Sequence, residues 1–140
     1  MTLVYSLVDA PAPADTRVVD AGLGAANAAV ASLADVRPLA CFARTPAGAI
    51  IGGAVGRTWG ECCELQQLWV DPTYRQQGVG RELVRNFAAG ARTRQCRRIY
   101  LETFSFQAPA FYRALGFSVV LEIRGFTADT SKFTLLCELT

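Results

Sequence analysis

The segment Leu68-Trp69-Val70-Asp71-Pro72-Thr73-Tyr74-Arg75-Gln76-Gln77-Gly78-Val79-Gly80-Arg81 constrains this chain more than any other. Leu65, Leu68, Trp69 and Val70 suit a buried strand. Asp71-Pro72 ends that strand, because proline cannot continue a ladder and restricts the residue before it. From Glu82 to Ala89 apolar residues return at helical spacing. Gly78 and Gly80 therefore stand at a helix N-terminus. The first N–H groups there lack intrahelical partners and the dipole is positive, so the place suits a phosphate. Gly78 has no side chain to block an anion, and Arg75 and Arg81 flank the loop with positive charge. The plainer alternative is a turn that uses glycine only for its backbone angles.

Two phosphate loops are excluded. There is no G-x-x-x-x-G-K-[ST], so this is not a Walker A site. A third glycine at dinucleotide spacing is missing, as is the acidic residue that would follow the next strand.

The loop resembles the pyrophosphate-binding motif of the GNAT acetyltransferase superfamily, [QR]-x-x-G-x-[GA]. Arg75-Gln76-Gln77-Gly78-Val79-Gly80 fits that motif, and Leu68-Trp69-Val70-Asp71-Pro72 fits the strand before it. Downstream, Ala110-Phe111-Tyr112-Arg113-Ala114-Leu115-Gly116-Phe117 is similar to the family's helix ending in "FY..LGF". The spacing leaves room for one helix and one strand, as the family requires. The resemblance covers about residues 38 to 140, and the N-terminal part more weakly.

Composition narrows the chemistry. The chain has 140 residues, 51% of them hydrophobic, which suffices for one domain with a full core over 1–140. No apolar run is long enough to span a membrane, and no signal peptide is evident at Met1–Tyr5. Cys41, Cys62, Cys63, Cys96 and Cys137 are odd in number and lack C-x-x-C spacing. They argue for a reducing, cytoplasmic location and against a zinc site, and most suit small core positions. Cys62 and Cys63 are neighbours on an expected strand, so only one can face the core. Histidine is absent, which removes Ser-His-Asp and Cys-His chemistry and most metal sites. Acid–base work falls to Glu, Asp, Tyr, Cys or water.

The net charge is only +2, yet Arg75, Arg81, Arg85, Arg92, Arg94, Arg97 and Arg98 share one segment with a single acid, Glu82. This reads either as a solvated face or as a field for a phosphate-rich ligand such as coenzyme A. Nucleic acid is not expected, since exposed aromatics do not interleave with the arginines and Lys132 is the sole lysine.

The expected elements run as follows. Leu3–Val8 is a strand, broken by Pro11 and Pro13. A helix capped by Asp15 or Asp20 runs to about Ala34, with Gly22 and Gly24 weakening it. Strands cover Pro38–Arg44, Ala49–Arg57 and Glu61–Val70, with a hairpin turn at Thr45–Gly48. The main helix is Gly78–Arg94, then a strand Arg98–Thr103, a short helix Ala108–Leu115, and strands Phe117–Arg124 and Lys132–Leu139. The fold class is mixed α+β. The resemblance implies the GNAT fold, a mostly antiparallel twisted sheet of about seven strands with flanking helices. Its fourth and fifth strands would run parallel and splay apart. The family's fourth strand usually carries a β-bulge, and Gln66-Gln67 are polar residues at mid-strand that a bulge or open cleft would satisfy.

The resemblance also implies a reaction: acetyl transfer from acetyl-CoA to a primary amine of a small molecule or peptide, without a metal. Gln76, Gln77, Gly78, Val79, Gly80 and Arg81, with Arg75, would hold the pyrophosphate. The pantetheine arm would add to Leu68, Trp69 and Val70 like an extra strand. The Val70 N–H would polarise the thioester carbonyl. Tyr112 would protonate the leaving thiolate. For the base, Glu64 stands eleven residues ahead of Arg75, the separation seen in the histone-acetyltransferase branch. Glu61, Glu102 or a water are alternatives. The asparagine that many relatives place after the fifth strand is missing, and Gln107 or Ser105 would substitute for it. That mismatch argues against the N-terminal acetyltransferase subgroup. The N-terminal helical region is short, so the acceptor cleft would be open or completed by a second subunit in a homodimer.

Overall fold

A computed structural model describes residues 1–30 and 35–139. The chain divides into two compact units, Met1–Ala34 and Asp35–Thr140.

The first unit holds one helix, α1, Pro13–Ala28. Its N-cap is Ala12, and Pro13 takes the first helical position. Pro13 thus starts this helix rather than only breaking what precedes it, because the N–H it lacks would have no intrahelical partner there. Neither Asp15 nor Asp20 is the cap; Asp15 sits in the first turn, where its charge suits the dipole. The expected strand Leu3–Val8 does not form. Its alternation makes a strand only when another strand takes its N–H and C=O groups, and none does so here. The expected helix end at Leu33 and Ala34 lies outside the described residues.

In the second unit the described residues form one six-stranded sheet. The elements are β1 (Arg37–Arg44), β2 (Ile50–Trp59), β3 (Cys62–Val70), α2 (Val79–Thr93), β4 (Arg98–Phe104), α3 (Pro109–Ala114), β5 (Ser118–Thr127) and β6 (Thr130–Glu138). The strand order is β1-β2-β3-β4-β6-β5. Only β3 and β4 run parallel; every other pair is antiparallel. This is the mixed fold expected, with six strands in place of about seven because the N-terminal one is absent. The last hairpin is longer than its sequence pattern, running on to a tight turn at Ala128-Asp129.

Helix α2 buries Leu83, Val84, Phe87, Ala88 and Ala91, one stripe at helical spacing. They pack with Cys63, Leu65, Ile99, Leu101 and Leu135 from the sheet. Cys63 takes the core position and Cys62 is only half-buried. Burial of this kind is worth about 2 kcal/mol for each large side chain. Beyond the last turn, Arg94 donates to the carbonyls of Arg37 and Pro38 and to Thr58 Oγ1, which ties α2 to β1 and β2. So α2 is tied to the sheet at its C-terminal end, and at the other end Gly80 lies beside Val70 at the end of β3.

Candidate active site

The parallel pair is short. Cys62, Cys63 and Glu64 face Arg98, Ile99 and Tyr100, and after that rung β3 and β4 part. The cause lies on the other edge of β3. Val55 pairs with Gln67 and Gly56 with Leu65, so Gln66 has no partner on β2. This is the expected bulge, and it bends β3 away from β4. Gly56 makes it fit: a Cβ there would lie 1.9 Å from the Glu64 carbonyl oxygen.

Past the bulge, backbone groups of β3 face the opening. The Asp71 N–H donates to the Ile51 carbonyl on β2 at 2.8 Å. Strand alternation then turns Leu68 and Val70 away from β2. The Val70 carbonyl accepts from Arg75 Nε at 3.0 Å, while its N–H faces the gap. A cavity of about 580 Å³ fills the gap, in the range of ordinary ligand sites. Gln66, Gln67, Leu68 and Trp69 line it from β3, Leu101, Glu102 and Thr103 from β4, and Gln107, Ala108, Phe111 and Tyr112 from the α3 side.

A second cavity of about 560 Å³ adjoins it and shares Leu68, Trp69, Ala108 and Phe111. Val70, Arg75, Gln76, Gly78, Val79, Gly80 and Arg81 line it, together with Tyr74, which the sequence reading left out. The loop is braced by its own bonds. Asp71 Oδ1 accepts from the Thr73 N–H at 2.8 Å, and Gln77 Nε2 donates to the Thr73 carbonyl at 3.4 Å. Gln77 is therefore turned onto the loop and does not line the cavity. Gln76 and Gly78 have φ of 60° and 81°. Gly78 is needed for that left-handed angle, with open space where a side chain would stand. The first N–H known to bond back into α2 is that of Glu82, to the Gly78 carbonyl. The N–H groups of Val79, Gly80 and Arg81 come before it, at the positive end of the helix. Gly80 has another reason: a Cβ would press on the Phe111 ring at 3.3 Å.

Tyr112 lies where α3 meets the cleft. Its ring packs edge-on against Phe111 and Phe117. Burial pushes its phenol above the usual value, so it holds its proton at neutral pH. Gln107 also lines the cleft, but its Oε1 accepts from the Phe104 N–H and the Thr103 hydroxyl. Its Nε2 is the end that can meet a ligand. Ser105 is bonded to Ser131 through both its N–H and its hydroxyl, so it braces the β5–β6 hairpin instead.

The carboxylates separate. Glu64 is not on the cleft wall. It accepts from Arg57 Nε at 3.0 Å on β2 and stands opposite Tyr100 on β4, at the rung where the strands part. Burial first, then the Glu64 charge, push the Tyr100 phenol up. Glu61 is exposed and paired with Arg97 at 3.8 Å. Glu102 lines the cleft and is paired with Lys132. The arginine segment resolves likewise. Arg85, Arg97 and Arg98 face Glu82, Glu61 and Glu138, Arg94 is structural, and Arg75 and Arg81 belong to the loop.

Sequence reasoning missed several lining residues, including Phe42, Ile50 and Val55. They come from β1 and β2, and only the fold brings them near β4. Phe111, inside the "FY..LGF" match, was not singled out for the cleft either.

A family model for the acetyltransferase (GNAT) family matches residues 15–117. The chain belongs to the GNAT family. Blasticidin-S acetyltransferase of Streptomyces morookaense is 32% identical over 109 residues, covering 75% of this chain and 80% of that protein. Glucosamine 6-phosphate N-acetyltransferase of Trypanosoma brucei brucei is 30% identical over 103 residues, covering 63% and 67%. The crystal structure of an acetyltransferase from Bacillus cereus ATCC 14579 superposes with a TM-score of 0.81 at 22% identity, covering 96% of this chain and 98% of that one. At that identity the likeness establishes the GNAT fold. Among the described residues no helix is long and apolar enough to cross a membrane, and no cluster of three or more His, Cys, Asp or Glu could hold a metal ion.

Proposed function

We propose that this chain transfers an acetyl group from acetyl-CoA to a primary amine, by direct attack within a ternary complex. One observation carries the reading: the loop cavity and the splayed cleft share walls, so one extended ligand can pass from the α2 N-terminus to Tyr112. The pyrophosphate would rest on the N–H groups of Val79, Gly80 and Arg81, with Arg75, Gln76 and Gly78 around it. The pantetheine arm would bond the exposed backbone edge of Leu68 and Val70, on either side of Trp69. Gln107 Nε2 would contact the arm from the other side. The family match crosses from residue 15 to residue 117, which supports treating 1–140 as one acetyltransferase domain.

The amine nitrogen attacks the thioester carbonyl, whose oxygen draws on the Val70 N–H. The C–S bond breaks and the thiolate takes the Tyr112 proton. The amine's own proton leaves to a carboxylate, Glu102 on the wall or Glu64 through water from the vertex. Relatives named for blasticidin S and for glucosamine 6-phosphate support a small-molecule acceptor over a peptide.

The test is a thiol-release assay with acetyl-CoA across amino sugars, arylalkylamines and short peptides, using Tyr112→Phe, Glu64→Gln and Glu102→Gln. Release that needs an amine and falls in Tyr112→Phe supports the reading, and whichever Gln variant loses the fall in rate on the acid side of the pH profile is the base. Acetyl-CoA binding without release by any amine would point to an acyl-CoA sensor.

A further inference from the structure

Three phenylalanines group where β4 leaves the cleft. Phe104 stacks on Phe106 at 5.4 Å, with the ring planes 5° apart, and Phe126 meets Phe104 edge-on at 5.2 Å. Phe106 is 70% exposed and Phe126 49%. Large apolar rings left in water need an explanation when they cluster, and the core does not supply one. On β4, Ile99, Leu101 and Thr103 face inward, so Tyr100, Glu102 and Phe104 share the other face. Phe104 therefore lies one step of about 7 Å beyond Glu102 along the same face. Glu102, Thr103 and Gln107 line the cleft on both sequence sides of the rings.

Several features hold the group in place. Arg124 pairs with Ser131 and Thr127 with Thr130, so Gly125 and Phe126 have no partners across the ladder. Gly125 takes a φ of 91° there. Such an irregularity re-aims a side chain, and here the Phe126 ring reaches Phe104. Ser105, between the stacked rings, is bonded twice to Ser131. Lys132 Nζ, paired with Glu102, stands 5.7 Å from the centre of the Phe104 ring.

We propose that Phe106 and Phe126, backed by Phe104, form a platform that stacks on a planar ring in the body of the acceptor. The acceptor class is then an amine joined by a short linker to an aromatic or heteroaromatic ring. The inference rests on the acetyltransferase reading, since it takes the splayed cleft as the place of the reacting amine.

The test measures binding of 2-phenylethylamine and its saturated analogue 2-cyclohexylethylamine by calorimetry, to the protein alone and saturated with coenzyme A. The flat ring should bind about five-fold tighter than the more apolar saturated one. Phe106→Ala should remove that preference and leave coenzyme A affinity unchanged; the exposed ring is no part of the core, and Phe106→Tyr should restore it. Equal binding of the two amines, no binding of either, or a preference that survives Phe106→Ala would overturn the platform. Loss of coenzyme A binding with the ring preference intact would instead sink the transferase reading and leave the platform standing.

Discussion

The proposed chemistry comes down to a few atoms: the Val70 N–H, the Tyr112 hydroxyl and the N–H groups after Gly78. Removing the Tyr112 hydroxyl leaves the ring to pack against Phe111 and Phe117. Tyr112→Phe should therefore lower kcat about 100-fold, with the acetyl-CoA KM and the melting temperature almost unchanged; steady-state kinetics beside a thermal melt would check both. Burial raises this phenol, so its proton is kept below its folded pKa and lost above it. The alkaline fall in kcat should then lie above the pH of about 10 at which a free phenol ionises. The places of Tyr112 and the glycine loop on the cavity walls were legible because each is a local pattern. Glu64 was legible only as a spacing from Arg75. Where its side chain points depends on Arg57, from another strand, and no local pattern carries that.

Elements explain why the cleft exists at all. The bulge at Gln66 and the short β3–β4 ladder open the sheet, and Gly56 lets β2 pass close to Glu64. Gly56→Ala should cost about 3 kcal/mol or more in denaturant unfolding, because its Cβ would overlap a carbonyl oxygen that the ladder holds. Arg94→Met should cost about 2 kcal/mol by the same measurement, since three bonds to β1 and β2 are lost from α2. The two polar residues at Gln66-Gln67 signalled the bulge in the sequence. The absence of a strand at Leu3–Val8 had no such signal, because alternation records which faces differ and not whether a neighbouring strand is present. The irregularity at Gly125 and Phe126 was hidden for a similar reason: register belongs to two strands at once.

Across the molecule, the sheet and α2 share a core that includes a thiol. Burial, more than the nearby Cys96, Glu64 and Cys62, pushes Cys63 up from about 9 to about 12, against a smaller opposing pull from Arg94. The unfolded thiol ionises first as the pH rises, so stability is whole below about 9 and falls progressively toward about 12. Urea unfolding from pH 8 to 11 should show that decline, and Cys63→Ala should flatten it while lowering stability at pH 8. The order of elements from β1 to β6 was readable from turns and periodicity, whereas the cleft became visible only once the strands had partners. The most direct test of the account is a calorimetric titration of acetyl-CoA into the wild-type protein and into Gly78→Val, each first shown to be folded by circular dichroism. One site per chain is predicted, with affinity about ten-fold or more weaker in Gly78→Val, whose backbone cannot easily hold the φ of 81°. A folded wild-type protein that takes up no acetyl-CoA, or a Gly78→Val variant that binds it equally well, would contradict the assignment of this loop.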